Sequence, residues 1–294
     1  MIYRERLPTP ALRDFVERLW WLEGGADEIG AEPIPPDGHP EIVVHGGDPF
    51  RESGGSLQER ALIAGQSTRA TRVSPSGAVR VVGARLRPDA AHALFGAPQH
   101  ELTNRVVDLR DLDAPLASAL RGDVAARSRG EEMLEGLEGA LAAAVSRIPR
   151  RRRGDRFGRP AAEAIRLADR RGGLVRVEAL ARRLGVTRRQ LERLFRDRVG
   201  IPPKLFLRIL RFQRALGSSG DARAGGWAQV AVALGFYDQS HLIRDFRELA
   251  GRAPGEWSPG DASLAAVFSA VRRDAGGPRA EDVAFLQDAS EARA

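Results

Sequence analysis

Apolar residues Leu12, Phe15, Val16, Leu19 and Trp20 recur at i, i+3, i+4, i+7 and i+8, the spacing of one helix face, so the pattern predicts a helix there. Pro35-Pro36-Asp37-Gly38 reads as a turn leading into the apolar run Ile42-Val43-Val44, of strand length. Further strands are expected at 62–66 and 79–86, and Pro88-Asp89 opens a short helix that Gly96 can close. This alternation predicts an α+β domain over residues 1–125. In 126–159 a stripe of Leu134, Leu137, Leu141, Val145 and Ile148 predicts a helix that packs on this domain or on a second subunit, followed by a linker. Its residues 147–159 hold seven arginines and one acid, Asp155, a run that cannot bury itself and can track phosphates. Residues 259–294 are rich in Gly, Ala and Asp and predict a loosely ordered tail with one short helix near 264–271.

Between 177 and 257 a pattern occurs twice. The first copy runs Leu180-Ala181-x-x-x-Gly185, a turn through Val186 and Thr187, then Leu191, Phe195, Gly200 and Pro203. The second runs Val230-Ala231-x-x-x-Gly235, a turn through Phe236, Tyr237 and Asp238, then Leu242, Phe246, Gly251 and Pro254. The small Ala181 and Ala231 allow two helices to cross closely. Gly185 and Gly235 can adopt the left-handed backbone that ends a helix, and Thr187 and Asp238 supply oxygens that cap the next one. Each copy is therefore expected to form a helix-turn-helix. At about 100° per residue, Leu191, Leu194 and Phe195 point inward, whereas Arg189, Glu192, Arg193 and Arg196 point outward. In the second copy Leu242, Phe246 and Leu249 face inward; Ser240, Arg244 and Arg247 face outward, with Gln239 at the helix start and Ile243 on the border. Between the copies Pro202-Pro203 starts a helix in which Leu205, Ile209, Phe212 and Leu216 recur, able to hold the two units about one DNA turn apart. Residues 160–258 thus predict an all-α domain of two helix-turn-helix units joined by a long helix.

Charge sharpens this picture. Residues 147–258 carry 26 basic and 11 acidic side chains, net +15, while the rest of the chain carries 20 and 28, net −8. One region is built to face a polyanion. Lys204 is the sole lysine, so this charge is almost all guanidinium, suited to bidentate contacts with guanine or phosphate. On the outward faces Arg can grip guanine, Gln adenine, Glu can accept from cytosine, and Ile can meet a thymine methyl.

The segment resembles the DNA-binding domain of AraC/XylS-type bacterial transcription regulators, over about 100 of the 294 residues. The stretch from Gly235 through Phe246 carries the resemblance most strongly, followed by Gly251, Pro254 and Trp257, with Arg211 and Ala215 in the bridging helix. Trp257 stands where the family often has Tyr, and a Gly- and Ser-rich loop at 217–226 precedes the second unit. The resemblance implies base-reading roles for Arg189, Glu192, Arg193, Gln239, Ser240, Ile243 and Arg244. Arg188, Arg196, His241 and Arg247 are the expected phosphate contacts, and Glu192 can equally pair with Arg188 or Arg196. Implied partners are double-stranded promoter DNA, a small-molecule effector at the N-terminal domain, RNA polymerase and a second copy of the chain. The stretch 35–44 and Gly83-x-x-x-x-Pro88 resemble a sensor-like domain found ahead of such DNA-binding domains.

The absence of cysteine removes disulfides, thiolate chemistry and cysteine-held metals. His39, His45, His92 and His100 show no metal-ligand spacing, and no nucleophile elbow, P-loop or dinucleotide fingerprint is present. No cofactor is called for, and no run is long and apolar enough to span a membrane, so a cytoplasmic protein is expected. Phe15, Trp20 and Trp21 line either a core or a pocket. The alternatives are a non-specific architectural DNA binder and an enzyme with a DNA-targeting module.

Overall fold

The computed structural model describes residues 1–28, 33–149, 159–218 and 226–256. Most of the Arg-rich linker, most of the loop before the second unit, Trp257 and the expected helix at 264–271 lie outside the described residues.

The N-terminal part is built on a six-stranded antiparallel sheet in the order β1 (Ile2–Arg6), β2 (Val16–Gly24), β8 (Val79–Leu86), β4 (Glu41–His45), β6 (Ala61–Ala64) and β9 (Val106–Asp108). A smaller sheet of β3 (Pro33–Ile34), β7 (Thr71–Ser74) and β5 (Arg51–Glu52) stands beside it. Alternation along the strands sorts side chains to two faces. Leu19, Ile42, Val44, Val82, Ala84 and Leu86 join one buried cluster with Met133, Leu134, Leu137 and Leu141. Trp20, Leu22, Phe50, Val79 and Val81 form a second. The expected strand at 79–86 is β8, and Ile42-Val43-Val44 lies in β4. The expected strand at 62–66 ends two residues early, at Ala64: Gly65 lies against the Leu102 carbonyl, where a Cβ would come within 2.0 Å.

One expected helix is absent. Residues 10–12 make a single 3-10 turn and Val16–Gly24 is a strand paired with both β1 and β8. A strand covered on both faces carries consecutive apolar residues, and here Leu19, Trp20 and Leu22 are buried with Trp21 half-buried between them; among neighbouring apolar positions that continuous run imitates a helical stripe. Trp20 belongs to the cluster on one face, whereas Trp21 and Phe15 pack against the other. Gly83 permits the close fit, since a Cβ there would lie 2.3 Å from the Trp20 ring.

Helix α1 (Ala90–Phe95) ends at Gly96, whose φ is +74°, and is followed by α2 (Ala114–Ala119) and the long α3 (Gly130–Arg147). The Leu134, Leu137, Leu141 stripe of α3 packs onto the sheet of its own chain. The Glu138 carboxylate anchors the chain start, accepting from Thr9 N at 2.6 Å and pairing with Arg6 at 2.7 Å.

The C-terminal part is helical: α4 (Arg159–Arg170), α5 (Val177–Arg183), α6 (Arg188–Arg198), α7 (Pro203–Gly217), α8 (Trp227–Ala233) and α9 (Gln239–Ala250). They share one core centred on α7, which buries Phe206, Leu207, Ile209, Leu210, Phe212, Ala215 and Leu216. Pro203 supplies the first residue of α7, where its missing N–H costs nothing.

Candidate nucleic-acid interface

Helices α5 and α6 form one helix-turn-helix, and α8 and α9 the other. Gly185 has φ +65° and Gly235 φ +66°, the left-handed backbone that lets the chain reverse after the first helix of each unit. Thr187 caps α6 in a capping box: Gln190 N donates to Thr187 Oγ1 at 3.2 Å, and Thr187 N donates to Gln190 Oε1 at 2.8 Å. Asp238 caps α9 by accepting from His241 N at 2.7 Å.

Each second helix is held to α7 by an aromatic pair. Phe195 of α6 meets Phe206 edge-on at 5.8 Å between centroids, and Phe246 of α9 meets Phe212 at 4.9 Å. Trp227 closes on Phe246 at 5.4 Å. With Leu191, Leu242 and Leu249 also buried, both helices have one orientation to present outward.

Arg189 and Arg193 are exposed on α6, and Gln239, Ser240, Arg244 and Arg247 on α9. Ile243 and His241 are half-buried. Leu194, expected inward, is half-buried on the flank of α6 facing His92. Glu192 takes the local pairing: its carboxylate accepts from Arg188 Nε at 2.8 Å, while Arg188 Nη1 reaches Glu178 at 2.9 Å. Those two carboxylates raise the Arg188 pKa. Arg196 approaches His100 of the N-terminal part, Nη2 to Nε2 at 3.3 Å.

Sequence reasoning missed the anchor beneath α9. Arg208 of α7 donates to Asp245 at 2.7 Å and pairs with Glu248, and Asp245 is 2% exposed. Burial opposes the charge on Arg208, but the hydrogen bonds and charges of Glu248 and Asp245 outweigh it and raise the pKa. Asp245 lies inside the sequence stretch that carries the family resemblance, so its position was visible, but its partner lies 37 residues away. Arg211 sits 5.8 Å from the Phe236 centroid and donates to Gly173 O at 3.3 Å; burial lowers its pKa.

Among the described residues no group of His, Cys, Asp or Glu is placed to hold a metal ion, and no helix is long and apolar enough to cross a membrane.

Residues 180–259 match the family model of a helix-turn-helix domain, and residues 4–108 match a domain of unknown function, DUF6597. No curated protein sequence matches the chain. Similar solved structures include apo ToxT K231A from Vibrio cholerae strain SCE256, with 12% identity, 85% of this chain and 98% of that chain covered, and a TM-score of 0.41. Unsaturated fatty acid bound ToxT from the same strain has 12% identity, coverages of 88% and 96%, and a TM-score of 0.39. The AraC-like transcriptional activator CuxR has 15% identity, coverages of 74% and 87%, and a TM-score of 0.21. Structural likeness this slight carries no functional weight. The matched family model and the capped, paired helices together identify residues 180–259 as an AraC-type helix-turn-helix domain, the DNA-binding module of a transcription regulator.

Proposed function

We propose that the protein reads promoter DNA sequence-specifically by laying α6 and α9 into two successive major-groove segments, and that its N-terminal part, within 1–125, modulates this binding in response to a small molecule. The observation that carries the reading is the exposure of Arg189 and Arg193 on one second helix, and of Gln239 and Arg244 on the other, with both helices fixed to α7 by buried phenylalanines. Arg suits guanine O6 and N7, Gln suits adenine N6 and N7, and Ile243 beside them suits a thymine methyl. Glu192 serves best as a local brace for Arg188 that can turn to a cytosine once Arg188 engages a phosphate. Arg188, Arg196, Arg247 and His241 then fix register on the backbone. Such a protein works in the bacterial cytoplasm, where its DNA is.

Affinity measured on a bound duplex and on its single-base variants tests this. Arg193→Ala is expected to cost about 1–3 kcal/mol with the loss concentrated at one base position. A loss spread evenly over all sequences would make Arg193 a phosphate contact and remove it from the reading set.

A further inference from the structure

Between the face of the large sheet that carries Trp20 and the small sheet lies a cavity of about 480 Å³, within the range of sites for small organic molecules. Trp20, Val43, Leu62 and Val81 give it an apolar wall. At its inner end the half-buried carboxylates of Asp37 and Glu41 share the Nε of buried Arg85, at 3.1 and 3.2 Å, with His39 and Gln58 also in the polar lining. Its arginines, Arg69, Arg72 and Arg105, are exposed at the rim. Carboxylates accept hydrogen bonds, so this inner end favours a ligand that brings a donor, and a cationic donor above all.

The segments that border the cavity also hold the DNA-binding part. Pro35, Pro36, Asp37 and His39 line it, and in the same loop Pro36 O accepts from the buried Gln213 Nε2 of α7 at 2.7 Å. Gly38, at φ +87°, lies so close to Phe206 that a Cβ would meet its ring at 3.1 Å, and Gly38 O accepts from buried Gln66 at 2.7 Å. On the other side Asn104 and Arg105 line the cavity, while the adjoining Thr103 donates to Gly200 O, just beyond α6, at 2.8 Å. Gly200 itself has no room for a Cβ, which would meet Gln99 O at 2.8 Å. One contact therefore reaches the bridging helix and the other the end of the first reading helix, and both begin at the cavity wall.

We propose that this cavity binds a small molecule with an apolar, aromatic-compatible body and an amine, and that its occupancy moves α6 and α7 through the segments 35–39 and 99–104. The proposal rests on the reading of the chain as a DNA-binding regulator and supplies its ligand class and route. Pocket, loop and helix are contiguous, so a ligand that displaces the Pro36 carbonyl or the Thr103 hydroxyl shifts the first reading unit as a body.

The test uses the full chain and a duplex that it selects. Occupancy is imitated by filling the cavity with Val43→Phe or, more conservatively, Ala64→Leu. Each is expected to change duplex affinity at least fivefold, and by less than twofold when Thr103→Val and Gln213→Leu are also present. Unchanged affinity in filled variants that unfold cooperatively, or an equal change in both backgrounds, overturns the route. For the ligand class, tryptamine is compared with indole-3-acetate, which has the same ring and the opposite charge. Tryptamine at millimolar concentration is expected to raise the unfolding midpoint of the unfilled chain by ~2 °C or more and to leave Val43→Phe unmoved. Stabilisation by the acid alone, or by neither, overturns the class. A chain that selects no duplex at all fails at the earlier reading and is thereby told apart.

Discussion

Thr187, Arg208 and His45 each do one physical job that a single substitution isolates. Thr187→Ala removes the capping-box oxygen of α6 and is expected to cost about 1 kcal/mol in urea denaturation, with Thr187→Ser close to the parent. Arg208→Met leaves the nearly buried Asp245 carboxylate without its guanidinium, an expected loss of about 3 kcal/mol or more, with reduced duplex affinity because α9 loses its tether. The same assay on Arg208→Met with Asp245→Leu should recover much of that loss, since no charge then stays buried. His45, 0% exposed beside Phe50, has its imidazole pKa pulled down to about 4 by burial, against 6.5 when unfolded. The unfolded chain therefore binds the extra proton between those values. This contribution to stability is complete above pH 6.5 and disappears toward pH 4, amounting to about 3 kcal/mol at most. Urea midpoints at pH 7 and pH 5 should fall further for the parent than for His45→Leu. At this scale the outward positions of α6 and α9 were legible, because a helical wheel needs only local spacing. The Arg208–Asp245 and Arg196–His100 pairs were not, because their partners are 37 and 96 residues apart.

Among the elements, the helix-turn-helix units were legible for a related reason: glycine, cap and apolar positions fall within 20 residues and recur at nearly constant offset. Gly235 illustrates how strictly the turn is specified. Its φ is +66° and an added Cβ would meet Leu174 at 2.7 Å, so Gly235→Ala should cost about 1–2 kcal/mol from the backbone alone. A lowered midpoint in chemical denaturation checks it; an unchanged one would mean that the turn has relaxed. Strand β8 and the α3 stripe were equally readable. Strand β2 was not, because burial on both faces erases the alternation that marks a strand, and the sheet order that buries it depends on β8, sixty residues later. The smaller sheet, with two strands of two residues, offers too short a pattern to detect.

For the whole molecule, charge announced the partner: net +15 over residues 147–258 against −8 elsewhere places the attraction for a polyanion on one part of the chain. What it could not announce is how the two parts meet, since Gln213 to Pro36 spans 177 residues and Thr103 to Gly200 spans 97. On the proposed reading, these contacts couple the N-terminal part to DNA binding and the exposed faces of α6 and α9 supply its specificity. The proposed function requires both helices to read DNA together. Selection of duplexes from a random library by the full chain at near-physiological salt tests that most directly. The expected result is a motif of two blocks whose centres lie about one helical turn, ~10 base pairs, apart. Enrichment of a single block, or of no motif with binding that depends on salt alone, would contradict it.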